Sequence, residues 1–188
     1  MPAFQSAVAT ITAADLPSSY RPGCPTPPSQ LRMLTLTYVD FSGQPQTGHL
    51  VVNAAHAAQV VAIFTDLYAH RFPIRRMVPV DAYGGSDDRS VAADNTAGFN
   101  CRAAVASGPT SWSMHAYGEA IDVDPVENPY VENNGTVDPA AGKVFEDRSD
   151  HRAGMAYDGG ELVDAFARQG WRWGDTFQDY QHFSTNGK

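Results

Sequence analysis

Of the six histidines in this chain, His115 and His182 stand in company that could hold a metal. His115 lies in Ser113-Met114-His115-Ala116-Tyr117-Gly118-Glu119-Ala120-Ile121-Asp122. The glycine permits a turn, and the small Ala120 leaves room beside the Asp122 carboxylate. Imidazole and carboxylate are good zinc donors, and three protein ligands with an open fourth position define a catalytic zinc centre. A third ligand is then required, and His182 is the natural one, because Asp179 stands three residues before it and aromatic residues surround both. An acid beside such a centre can move a proton, since zinc lowers the pKa of a bound water to about 7. Taken singly each half is weak, because a histidine with an aspartate seven residues on arises often by chance.

The remaining histidines have no comparable setting. His49, His56 and His70 fall in hairpin or helix contexts without acidic or cysteine partners nearby, and His151 has aspartate neighbours at no recognisable ligand spacing, so all four read as surface side chains. A nucleophilic serine is disfavoured as well: no G-x-S-x-G elbow is present to activate Ser113. One geometric condition attaches to the tail. Residues three apart on a regular strand face opposite sides, so Asp179 and His182 share a site only where the backbone bends between them.

The elements that must position these residues follow from periodicity. Leu34, Leu36 and Tyr38 alternate with Thr35 and Thr37, a half-buried strand, and a turn over Asp40 to Gly43 leads to a second strand around Leu50 to Val52. Val60, Phe64, Leu67 and Tyr68 recur at helical spacing between Asn53, a suitable N-cap, and Pro73, which stops the helix. Ile74 to Val80 reads as a strand, and the polar segment DAYGGSDDRSVAADNTAGFN as a long irregular loop. GEAIDVD reads as a short strand with Ala120, Asp122 and Asp124 on one face and Ile121 and Val123 toward the core. On that reading Asp124 either orients a ligand histidine or is solvated. Asp158 and Glu161 resemble a capping box for a helix carrying Leu162, Val163 and Phe166 and closed by Gly170, and WRWGDTFQDYQHF returns as a strand. Few helices with several short strands make the class α+β.

Bulk properties narrow the rest. At 188 residues and 43% hydrophobic content, one compact core is expected: an extended arm over residues 1–30, rich in proline, serine and threonine, lies on a single domain over 31–188. Thirteen basic against 21 acidic residues give a net charge of -8 with no basic run, which argues against nucleic acid. No apolar run approaches the roughly 18 residues of a membrane span, and the start lacks a secretory signal, so a signal has been removed or export takes another route. Cys24 and Cys101 form one bridge in an oxidising compartment or stay as buried free thiols; spacing does not decide between them.

At the two site segments the sequence resembles a known family. S-x-H-x-x-G-x-A-x-D followed by D-x-x-H-F is similar to the zinc D-alanyl-D-alanine carboxypeptidase family, which includes vancomycin-resistance dipeptidases and phage L-alanyl-D-glutamate endopeptidases. FPIRRMVPVDAY, ADNTAGFNCR, NPYV and GWRWGDTFQDYQHF resemble its carboxypeptidase-like branch, over roughly residues 23 to 184. The resemblance implies a small antiparallel sheet backed by helices, with Zn2+ in a surface groove held by His115, Asp122 and His182, and Asp179 as general acid/base. Asp179 stands where many members have Glu, so a shorter side chain must reach the water. Arg102 occupies the place of the family arginine, suited to an oxyanion or a substrate carboxylate, with a structural ion pair as its alternative. Ser113 binds a substrate carboxylate or caps the local turn. Trp173, with Trp171 and Tyr180, walls the groove or packs in the core. The expected substrate is the peptidoglycan stem peptide, cut by a monomeric enzyme outside the membrane or by a phage lysin released at lysis. A carboxypeptidase is favoured over an endopeptidase, and a zinc-bearing binding module without hydrolysis is the competing class.

Overall fold

The computed structural model describes residues 1–104 and 111–188. Its strands form two antiparallel sheets where a single small one was expected: three strands in the order β1-β2-β3, and five in the C-terminal half. In the first, β1 (Ser6–Thr10) pairs with β2 (Leu31–Val39), which pairs along its whole length with β3 (Pro45–Asn53). The β2–β3 turn is made by Asp40, whose Oδ1 accepts from the main-chain nitrogens of Ser42 at 2.8 Å and Gln44 at 2.9 Å. Residues 1–30 thus supply a strand to the sheet where an extended arm was expected, a pairing that five exposed residues of short side chain do not announce.

Asn53 caps the first helix as its type suggests, but through a 3-10 turn, Ala54–His56, that precedes α1 (Ala57–Ala69). Val60, Ile63, Phe64 and Leu67, at i, i+3, i+4 and i+7, are buried against the sheet face that carries Leu34, Leu36, Leu50 and Val52. Each such side chain contributes about 1.5–3 kcal/mol by leaving water. The expected strand over Ile74 to Val80 is absent: Met77 makes one isolated bridge to Thr96, and its carbonyl accepts from His49 N at 2.9 Å. Pro73 and Pro79 remove donors at both ends of that segment. The following segment is less irregular than its composition suggests, since Ser86 caps a short helix, α2 (Asp87–Ala92).

The second sheet has the order β4-β8-β5-β6, with β7 also on β8: β4 (Ala120–Asp122), β5 (Tyr130–Val131), β6 (Val137–Asp138), β7 (Arg172–Gly174) and β8 (Asp179–Ser184). Between β6 and β7 lies α3 (Glu161–Arg168), whose Leu162, Ala165 and Phe166 join the core with Trp171. Its N-cap is Gly160, not Asp158; the left-handed Gly159 turns the chain between them, which removes the capping box read from the sequence. Gly170, at φ 80°, closes the helix as expected. Among the described residues no helix is long and apolar enough to cross a membrane.

Cys24 and Cys101 are bonded, with their Cα atoms 5.9 Å apart. The bridge fastens the N-terminal segment to a second small core of Ile11, Leu16, Leu31, Val51 and Phe99. It closes a loop of 77 residues, and such a cross-link restricts the unfolded chain by about 4 kcal/mol. Reduction should therefore lower the melting temperature markedly, measured by thermal scans with and without reductant; coincident transitions would show that the bridge does not stabilise the fold.

Candidate metal centre

Alternation along two neighbouring strands builds the site. Ile121 of β4 and Phe183 of β8 are direct cross-strand partners in the core, and Phe183 stacks on Phe166 at 4.1 Å. The next pair, Asp122 and His182, must then face the other side, and they too are direct partners. His115 arrives from a 3-10 turn, Met114–Tyr117. Ser113 caps that turn, its Oγ accepting from His115 N at 3.3 Å, so of its two readings the structure displays the cap. Gly118 ends the turn at φ 69°, and a Cβ there would lie 2.7 Å from Asn53 N, so only glycine fits this reversal against β3.

The three side chains meet in a buried group. Asp122 Oδ2 lies 3.1 Å from His115 Nε2, Asp122 Oδ1 lies 3.0 Å from His182 Nδ1, and the two ring nitrogens are 3.3 Å apart. One donor atom from each residue can be chosen so that all lie within 4.8 Å. Hydrogen bonds at the far side of each ring set which nitrogen carries hydrogen. His115 Nδ1 is 2.7 Å from Gly98 O and His182 Nε2 is 3.0 Å from the main-chain oxygen of Lys188, and both oxygens only accept. The inward nitrogens therefore present lone pairs, beside a carboxylate that also only accepts. Three buried acceptors facing one point require a cation there, either a proton or a metal ion. The electrostatics agree: burial opposes a charge on either group, yet His115 and His182 hold the Asp122 carboxyl far below the usual range, and Asp122 raises His182. Two imidazoles and one carboxylate are a donor set that fits a metal ion.

Asp179 reaches this neighbourhood through an irregularity in β8. Trp173 pairs with Phe183, but the next residue, Gly174, pairs with Asp179, so residues 180 to 182 are extra on β8. Gln178, just before, is left-handed at φ 58°. The bulge supplies the bend that the three-residue spacing demands. Trp173 holds it by donating from Nε1 to Tyr180 O at 2.8 Å, and Arg148 lies over the Tyr180 ring at 4.6 Å. Burial and the Asp122 charge push the Asp179 carboxyl up to about 6, and its Oδ1 has no hydrogen-bond partner among the described residues.

The other expected residues are placed as follows. Arg102 lies with Nε 3.0 Å from Asp87 Oδ1, an ion pair whose angles fall outside hydrogen-bond geometry, and its carbonyl accepts from Ser113 N at 3.1 Å. Trp171 is core, whereas Trp173 is half-buried against that core. His49, His70 and His151 are exposed, and His56 is half-buried beside Glu119. Asp124 departs from both of its readings. Its backbone turns left-handed at φ 43°, which ends β4 and carries the side chain to Arg75 N, at 2.9 Å, and Thr96 Oγ1. It is fully buried and forms its hydrogen bonds there, not with His115 or His182. Sequence reasoning missed the Gly98 and Lys188 oxygens, which are main-chain atoms without a side-chain signature, and the exposed Phe177, whose ring is 6.0 Å from that of His182.

Beneath the site one guanidinium serves several buried acids. Arg75 meets Glu127 at 2.8 Å and Asp94 at 3.2 Å while its main chain holds Asp124. Burial and the Asp94 charge push Glu127 up to about 7. A carboxyl raised in the folded state stabilises it fully below the unfolded pKa, about 4.3, and loses that contribution as pH rises through 7. The shift corresponds to at most about 4 kcal/mol. The wild-type melting temperature should accordingly fall relative to that of Glu127→Gln, which cannot ionise, between pH 4.5 and 8; parallel curves would remove Glu127 from this role.

The family described as D-alanyl-D-alanine carboxypeptidase matches residues 107–185. That span holds His115, Asp122, Asp179 and His182, and it bears out the resemblance read from the two motifs; the first sheet and Arg102 lie outside it. No curated protein and no solved structure matches the chain.

Proposed function

We propose that this protein is a zinc peptidase that hydrolyses an amide bond of the peptidoglycan stem peptide, as a D-alanyl-D-alanine carboxypeptidase. The observation that carries the reading is the convergence of three buried acceptors, one each from His115, Asp122 and His182, beside a proton-binding acid, Asp179. Zinc held by those three residues would supply a positive charge that polarises a carbonyl and makes water more acidic. Asp179 takes a proton from the attacking water and returns it to the leaving amine, a role suited to a carboxyl poised near 6. Arg102, steered by Asp87 and carried beside the Ser113 cap, binds the substrate carboxylate or the developing oxyanion. Trp173 and Phe177 border the approach to the stem peptide. The Cys24–Cys101 bond suits an oxidising compartment, so the enzyme acts outside the membrane, at the cell wall.

Digestion of purified peptidoglycan, with and without chelator, followed by mass analysis of the soluble fragments, tests the proposal. Chelator-sensitive release of single D-alanine is expected. Cleavage inside the stem would make the protein an endopeptidase, and zinc binding with no release of any fragment would leave a wall-binding module.

A further inference from the structure

We infer that residues Thr185 to Lys188 form a clasp that fixes the metal-binding tautomer of His182 and so sets how tightly the centre holds its ion. The inference rests on the reading of His182 as a metal ligand. Ser184, fully buried at the end of β8, accepts from both Gly187 N and Lys188 N at 3.0 Å through Oγ, and Asn186 Oδ1 accepts from Lys188 N at 3.0 Å. Gly187, at φ 76°, reverses the chain, and the turn returns the Lys188 main-chain oxygen to 3.0 Å from His182 Nε2. The clasp is also tied to the segment that carries His115. Thr185 donates to Glu119 through its nitrogen to the carbonyl and through Oγ1 to Oε2, both at 3.1 Å, and Asn186 Nδ2 lies 3.3 Å from Met114 Sδ.

The clasp has a definite task because two acceptors compete for the one hydrogen of a neutral His182. Asp122 Oδ1, 3.0 Å from Nδ1, favours hydrogen on the inward nitrogen, where it would occupy the place of the ion. The Lys188 oxygen favours hydrogen on Nε2, which frees Nδ1 as a donor atom. His115 needs no such device, since its Nδ1 is committed to Gly98 O within the domain core. Ser184 and the clasp are positioning groups: they act on the ion through His182 alone.

The test measures zinc affinity by chelator competition, and the His182 tautomer by nitrogen NMR of metal-free protein at a pH where His182 is neutral, for wild type, Ser184→Ala and a deletion of Gly187 and Lys188. Both variants should bind zinc about 10- to 100-fold more weakly, as for loss of other outer partners of metal ligands. In both, the His182 hydrogen should move from Nε2 toward Nδ1. The deletion leaves β8 whole, so it serves where burial makes Ser184→Ala unstable. Wild-type affinity and tautomer in a folded variant would overturn the clasp. A wild-type protein that binds no zinc would instead overturn the metal centre, with the tautomer still reporting on the clasp.

Discussion

Asp179→Asn is expected to lower turnover by about 10²- to 10⁴-fold while zinc content stays at the wild-type level. Asparagine keeps the shape and leaves His115, Asp122 and His182 in place, but it cannot accept and return a proton. The buried Oδ1, without a hydrogen-bond partner among the described residues, and the upward shift to about 6 are what make this acid suitable as a base near neutrality. The sign of the pH effect follows. The base works when deprotonated, so kcat should rise with pH through an acid limb that the Asn variant lacks. Burial is the larger cause of the shift and the negative Asp122 the next, so a cation on Asp122 draws the limb below 6. Activity assays over a pH series with metal analysis on the same samples check both statements; full turnover in the Asn variant would remove Asp179 from the mechanism.

The same residue shows where sequence reading reaches and where it stops. The convergence of Asp122 and His182 was legible because it follows from side-chain type and strand alternation: Ile121 and Phe183 demand the core, so Asp122 and His182 must face away from it. The α1 stripe was legible for the same reason. The bend between Asp179 and His182 was a stated requirement, but its cause was hidden, because a bulge depends on pairing with β7 and β5 at once and leaves no periodic mark. Asp124 was misjudged through strict alternation, which fails once one residue turns left-handed. The unforeseen β1 is decided by what lies across from it in space, and short-range pattern carries no such information. The absent strand at Met77 and the helix cap at Gly160 have local causes instead, Pro73 and Pro79 for the one and the left-handed Gly159 for the other.

Asp122→Asn should weaken zinc binding by more than the 10- to 100-fold typical of an outer partner, because on the proposed reading it removes the one anionic ligand from a site whose other donors are neutral. Its consequences also spread through the cluster in a direction that can be worked out. Asp122 is what lifts His182 against the opposing effect of burial, so in the metal-free variant His182 should titrate at lower pH than in wild type. Asp179, relieved of the neighbouring charge, should also bind its proton less tightly, though burial keeps it above an exposed aspartate. Chelator competition gives the affinity, and NMR titration of His182 and Asp179 gives the two shifts. Undiminished zinc affinity would exclude Asp122 as a ligand. Loss of zinc with an unmoved His182 would mean that the carboxylate binds the ion without setting the charge of its neighbour, contrary to the 3.0 Å contact between them.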